Sequence, residues 1–202
     1  MKIFIAGCAR SGTTLLANLM ISFRDTYVLR SERHYDHFGL LVRPEKNIVL
    51  KRTRDTHLSL HELPSDIALI YSIRDPLDTL TSHHPHFPDR RFYVSMERWS
   101  AELAALRKLR ASQPSRKITY VRYCDLVRES DIVQQRIATD LGLEIVWLFS
   151  QDKRISDKSL GKYYRDADAR MYLDSLPAPF RWELKEYCDE FGYELPNGYL
   201  TT

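Results

Sequence analysis

Short apolar runs alternate along the chain with longer stretches whose apolar residues recur at helical spacing. Lys2–Ala6 predicts a first strand. Thr13–Phe23 carries Leu15, Leu16, Leu19, Met20 and Phe23 on one face and predicts a helix. Thr26–Arg30 and Asn47–Lys51 predict a second and a third strand. Ile67–Ser72 is almost wholly apolar, the pattern of a central strand covered on both faces, and Lys117–Arg122 predicts a fifth. Between the last two strands, Met96, Trp99, Leu103 and Leu106 share a helical face. Ser130–Leu141 places Ile132, Val133, Ile137 and Leu141 on a stripe, with Gly142 suited to end that helix. Phe180, Leu184, Tyr187, Cys188 and Phe191 form a last stripe, followed by Gly192. Strands alternating with helices predict an α/β fold: a parallel sheet of about five strands flanked by helices in three layers. The chain shows no repeat, low-complexity segment or linker, and its 202 residues suit a single domain over 1–202. In such sheets ligands bind beyond the carboxyl ends of the strands, so the residues just after each strand are where chemistry is expected.

Composition changes this picture little. The chain is 44% hydrophobic and 28% charged, ordinary for a globular protein, and its net charge of +3 suits an anionic ligand better than nucleic acid. Cys8, Cys124 and Cys188 are odd in number, widely spaced and set among apolar residues, which reads as buried free thiols in a reducing compartment. Ile5-Ala6-Gly7-Cys8 resembles a lipoprotein cleavage box, but the apolar stretch before it is too short for one. No run approaches the ~18 apolar residues of a membrane span. The expectation is a soluble, unexported, cytoplasmic protein.

The first strand runs into Gly7-Cys8-Ala9-Arg10-Ser11-Gly12-Thr13-Thr14 and then a helix. This is the Walker A frame with Thr13 where the lysine belongs, which gives the α/β fold its P-loop type. Glycines let the backbone curl so that successive N–H groups converge on an anion, and the helix start adds partial positive charge. Ser11, Thr13 and Thr14 offer hydroxyls, and Arg10 a forked cation. Without the lysine, and with no apolar run ending in aspartate as a Walker B strand, nucleoside-triphosphate hydrolysis is disfavoured.

A second anion site follows the central strand, in Ile73-Arg74-Asp75-Pro76-Leu77-Asp78 and on to Ser82. Pro76 ends the strand and suits a first helical turn. Arg74 is then expected at the strand's carboxyl end, with Ser82 about two turns into the helix, together able to hold one phosphate.

Arg-Ser-Gly-Thr-Thr together with Arg-Asp-Pro-x-Asp-x-x-x-Ser resembles the signature of the sulfotransferases that use 3′-phosphoadenosine 5′-phosphosulfate (PAPS). The resemblance implies that Arg10, Ser11, Gly12, Thr13 and Thr14 grip the 5′-phosphosulfate, and that Arg74 and Ser82 grip the 3′-phosphate. Val121-Arg122-Tyr123-Cys124-Asp125-Leu126 is similar to the family's Arg-Tyr-Glu-Asp-Leu, with Cys124 in place of the acid, which implies Tyr123 near the adenine. Leu141-Gly142-Leu143 matches the end of the helix that follows. Ser159-Leu160-Gly161-Lys162-Tyr163 loosely resembles the late loop that closes over the cofactor, implying roles for Ser159, Gly161 and Lys162. The similarity runs in the same order over nearly the whole chain.

The same resemblance implies a reaction centre. Lys51, at the end of the third strand, matches the family's lysine at the bridging oxygen. Two residues compete as base. Glu32 stands at the distance from Arg10 found for the catalytic glutamate of the Golgi-type enzymes. His57, in Thr56-His57-Leu58, is similar to the base of the cytosolic branch, although Asp55 replaces the lysine expected before Thr56. Glu32 is placed first. All seven histidines lie between His34 and His86, but adjacent histidines in His83-His84-Pro85-His86 do not converge on a metal, so no metal is expected. Arg33–Glu45 and His83–Phe92 are the expected acceptor-side loops. Their residues suit an aromatic, sugar or anionic acceptor equally, hence a small-molecule or carbohydrate partner. The expected activity is sulfuryl transfer from PAPS to a hydroxyl or amine by in-line displacement. A P-loop small-molecule kinase or NTPase and a non-catalytic nucleotide-binding module are the alternatives.

Overall fold

The computed structural model describes residues 1–152 and 155–200. Its sheet has five strands: β1 (Lys2–Gly7), β2 (Thr26–Val28), β3 (Asn47–Lys51), β4 (Ile67–Ile73) and β5 (Ile118–Arg122). All neighbours are parallel, in the order β2-β3-β1-β4-β5. From β1 the chain leads to β2 on one side of the sheet, and from β4 to β5 on the other. β1 and β4 are adjacent, so the order reverses between them and a crevice opens beyond their carboxyl ends.

By its internal packing the chain divides into two compact units, one of residues 1–73 with 101–157 and one of 74–100 with 158–202. The first holds the whole sheet with α1 (Thr13–Met20), α2 (Thr56–Ser59), most of α4 (Met96–Ser112), α5 (Tyr123–Arg128) and α6 (Ser130–Leu141). β1 is buried on both faces. Ile3 and Ile5 enter a core with Leu16, Leu19, Met20, Val49, Ile70, Val121, Val133, Ile137 and Phe149. Phe4 points the other way and meets the Tyr35 ring edge-on at 5.9 Å. Gln134, fully buried, donates to Trp147 O and to Ser22 Oγ and accepts from Phe149 N, so no polar atom of its amide is wasted in that core. The second unit holds α3 (Pro76–Leu80), α7 (Ala167–Asp174) and α8 (Ala178–Phe191). Trp99 stacks edge-on against Phe180 and Tyr187 at 5.6 and 5.0 Å, and buried Arg181 donates to the carbonyls of Leu176, Tyr199 and Asp174.

The elements differ from expectation chiefly at their ends. The first helix stops at Met20 rather than Phe23, because the Ser22 hydroxyl donates to Leu19 O at 2.5 Å and Phe23 leaves to bridge Ile145. β2 ends at Val28 rather than Arg30, after Leu29 N makes a last bond to Val49 O. Gly142 and Gly192 take the left-handed conformation that ends α6 and α8.

Candidate active site

In the first unit, β1 delivers the chain into the loop at Gly7, whose φ is 151°. A Cβ there would stand 2.5 Å from Ser72 O on neighbouring β4. Ser72 closes the same gap from its side by donating its hydroxyl to Ser11 O at 2.7 Å. Arg10 takes a positive φ of 70° and Gly12 one of 97°, so the backbone curls twice before Thr13 opens α1. No side chain caps α1, which leaves its first-turn N–H groups directed at the loop. Ser11 is 2% exposed, and its Oγ has no hydrogen-bond partner among the described residues. Thr13 is buried and Thr14 exposed. The Tyr123 ring at the start of α5 lies against Gly12, with Cδ2 at 2.2 Å from where a Cβ would stand.

One strand away, β3 pairs Lys51 with Ile5, two residues before the loop, and Arg52 N donates to Ile5 O at 3.1 Å. Lys51 is 7% exposed, with Nζ at 3.5 Å from Glu32 Oε1. Glu32 also accepts from Thr53 Oγ1 at 2.8 Å, Thr53 N at 3.3 Å and Arg54 N at 3.2 Å. Burial alone would raise its pKa; the Thr53 hydroxyl, the Lys51 ammonium and the two backbone N–H groups outweigh that and hold it below the ordinary carboxylate range. The turn after Lys51 leads through Asp55, at φ 55°, into α2. There His57 places Nδ1 3.5 Å from Oε1 of Glu102, a carboxylate 1% exposed on α4.

In the second unit the other candidates gather around the start of α3. Arg74 is buried, donates Nη2 to Ser159 O at 2.7 Å and lies 3.8 Å from Asp78. Asp78 accepts from Gly161 N at 2.8 Å and Lys162 N at 2.9 Å, so the late loop is tied to α3 through its backbone. Asp75 caps α3, accepting from Leu77 N and Asp78 N. Burial first, and then the Asp78 carboxylate, push the Asp75 pKa up to about 6 against these bonds and Arg74. Ser82 is buried but stands two residues past the end of α3 rather than two turns into a helix, because α3 closes at Leu80. Its hydroxyl donates to Thr79 O at 2.8 Å. In the His83–Phe92 loop, His84 packs against His86, Phe87 and Tyr93 as one aromatic group.

The structure therefore brings together the loop residues Arg10–Thr14 with Tyr123, Lys51 with Glu32, and Arg74 with Ser159, Gly161 and Lys162. It adds Ser72, Thr53, Asp78 and Glu102, to which the sequence reading gave no role. Glu102 had a visible signal: a charge at helical spacing from Trp99 and Leu106, inside an apolar stripe.

No protein-family model and no curated protein matches the chain. Solved structures do. The sulfotransferase domain of the olefin synthase from Synechococcus PCC 7002 superposes with a TM-score of 0.66 at 17% identity, covering 96% of this chain and 95% of that one. The fold is that of a sulfotransferase. A retinol dehydratase solved with androsterone and the inactive cofactor PAP gives a TM-score of 0.50 at 13% identity, covering 96% of this chain and 82% of that one. No helix among the described residues is long and apolar enough to cross a membrane.

Proposed function

We propose that the chain is a PAPS-dependent sulfotransferase, acting on a hydroxyl or amine of a small-molecule or carbohydrate acceptor. The observation that carries this reading is the anion cradle after β1: an uncapped helix start, a buried Ser11 hydroxyl without a partner among the described residues, and buried Lys51 on the adjoining strand. These residues fit a phosphosulfate, since each supplies a donor to an anion and none is an acid that would repel one. When bound, PAPS supplies a sulfuryl group whose bond to the bridging oxygen breaks as the acceptor oxygen or nitrogen bonds to sulfur. Arg10, the hydroxyls of Ser11, Thr13 and Thr14, and the backbone of the loop hold the 5′ anion. Lys51 would offer its ammonium to the charge that develops on the leaving oxygen, and Glu32, which faces it at 3.5 Å, or else His57 would take the proton that the acceptor loses. Tyr123, whose ring lies against Gly12, would meet the adenine. By the sequence resemblance alone, Arg74 and Ser82 would take the 3′-phosphate, with Ser159, Gly161 and Lys162 in the same loop cluster as Arg74. Ser82 would have to turn its proton from Thr79 O to do so.

The two solved sulfotransferase-like structures share the fold at low identity, and the retinol dehydratase is in complex with PAP. The experiment is transfer from PAPS to a panel of phenols, sugars and amines without divalent cation, read by mass spectrometry. Sulfated product supports the reading. Mg²⁺-dependent turnover of ATP with no turnover of PAPS would assign the site to a kinase or NTPase. Tight PAP binding with no product on any acceptor would assign a nucleotide-binding module.

A further inference from the structure

Positive charge gathers where the chain leaves β2 and β3. Residues 30–34 and 51–55 hold Arg30, Arg33, Lys51, Arg52 and Arg54 against Glu32 and Asp55, an excess equal to the whole chain's net charge of +3. The two segments are neighbours in the fold: Arg33 N donates to Lys51 O at 3.1 Å, and Arg54 N to Glu32 Oε2 at 3.2 Å. They stand at the same end of the sheet as the glycine loop, since Arg52 N donates to Ile5 O on β1. Building on the sulfotransferase reading, we propose that this basic rim selects an acceptor that carries an oxyanion (a carboxylate, sulfate or phosphate), which Arg33 and Arg54 hold while the acceptor's hydroxyl or amine meets the sulfuryl group beside Lys51.

The carboxylates nearby do little to offset these arginines. Glu32 accepts from Thr53 Oγ1, Thr53 N and Arg54 N and faces the buried Lys51 ammonium, so its charge is directed at the lysine. Asp36 meets His34 at 2.9 Å. Asp55 is shared at long range, 3.5 Å from Arg54 Nε and 4.0 Å from Arg52 Nη2. Arg33 donates Nη1 to a carbonyl, Glu32 O, and no carboxylate meets Arg30 or Arg33 among the described residues. Exposed cations elsewhere are matched more closely: Lys2, Arg24 and Lys117 have a carboxylate at 3.1, 2.8 and 2.8 Å. Like charges gathered in this way repel one another and raise the local concentration of anions. Arg33 is exposed, and the Arg54 side chain is 85% exposed, so both guanidinium groups are open to a ligand. Their forked donors match the paired oxygens of an oxyanion, whereas a neutral phenol or sugar would leave the charges unmet. The sequence leaves an aromatic, a sugar and an anionic acceptor equal; the charge at this end of the sheet separates them.

The test is calorimetry on the whole chain saturated with adenosine 3′,5′-bisphosphate and titrated with two matched pairs: 4-methylphenol against 4-hydroxyphenylacetate, and glucose against glucose 6-phosphate. The charged member of at least one pair is expected to bind roughly tenfold or more tightly than its neutral twin, the scale of a hydrogen bond to a charged group. Added salt should shrink that advantage. Arg33→Gln and Arg54→Gln should each reduce it, and by more than they reduce affinity for the bisphosphate itself. Arg136→Gln, the same charge change at an exposed position of α6, should keep it. Charged and neutral members bound alike, or an advantage that survives both rim substitutions, overturns the proposal. So does an equal loss for the bisphosphate and the charged acceptor, which would give the arginines to the nucleotide. Failure of the wild-type protein to bind the bisphosphate appears before any acceptor is added; it strikes the sulfotransferase reading, and the acceptor proposal falls with it.

Discussion

Gly7→Ala should be far more damaging than an ordinary glycine substitution, because two separate costs meet at that position. Its φ of 151° is strained for any side chain, at about 1–3 kcal/mol. The new Cβ would also stand 2.5 Å from Ser72 O and 2.8 Å from Ser11 Oγ. The first of these atoms is backbone in the neighbouring strand and cannot rotate away. Overpacking of that kind adds about 1–3 kcal/mol. The sum of about 2–6 kcal/mol corresponds to a Tm lower by roughly 4–24 °C for a chain of this length. Gly142→Ala is the control. It has φ 66° but open space around its Cβ, so only the left-handed strain of about 1–2 kcal/mol applies. Thermal and urea unfolding of both variants separates the clash from the strain. If Gly7→Ala costs no more than Gly142→Ala, the close approach of β1 to β4 at the loop mouth is wrong, and the cradle built on it fails.

Gly12→Ala should lower stability and adenosine bisphosphate affinity, and Gly12→Ala with Tyr123→Ala should regain part of the stability, since the ring is what the methyl meets; equal unfolding midpoints for single and double variants would contradict this. Glu32→Gln leaves Lys51 buried without its counter-charge and should cost about 1–3 kcal/mol at pH 7. The Glu32 pKa is lowered by folding, so its contribution is present above the ordinary carboxylate range and disappears as pH falls below it; the gap between wild type and variant should close in acid, and a gap independent of pH in urea titrations would refute the pairing. Asp75 behaves with the opposite sign. Folding raises its pKa from 3.8 to about 6, so its stability contribution is full below about pH 4 and is lost as pH rises through about 6. Relative to Asp75→Asn, which can still cap α3, the wild type should lose up to about 3 kcal/mol between pH 4 and 7, and parallel pH curves would count against a buried carboxyl.

What could be read from the sequence was whatever depends on neighbours in the chain. The β1 loop was legible because strand, glycines and helix are contiguous, and glycine at positions 7 and 12 answers a local backbone demand. β3 and α6 were legible end to end for the same reason. α7 was missed, although Asp166 caps it by accepting from Asp168 N and Ala169 N, because its apolar positions are few. Ser82 was misplaced because the length of α3 is set by Thr81 and Ser82 hydroxyls bonding back to Leu77 O and Thr79 O, a choice that the Asp-Pro start does not reveal. Contacts across long separations were out of reach: Glu32 with Thr53, His57 with Glu102, and Asp78 with Gly161 join residues that only the folded chain brings together.

The central claim is that this chain holds a nucleotide phosphorylated at both the 3′ and the 5′ position. Calorimetry with adenosine 3′,5′-bisphosphate and adenosine 5′-phosphate, without divalent cation, tests it most directly. The account predicts tight binding of the bisphosphate, and a loss in Arg74→Ala that is larger for the bisphosphate than for the monophosphate. No heat at high micromolar bisphosphate, or an equal loss for both nucleotides in the variant, would contradict it.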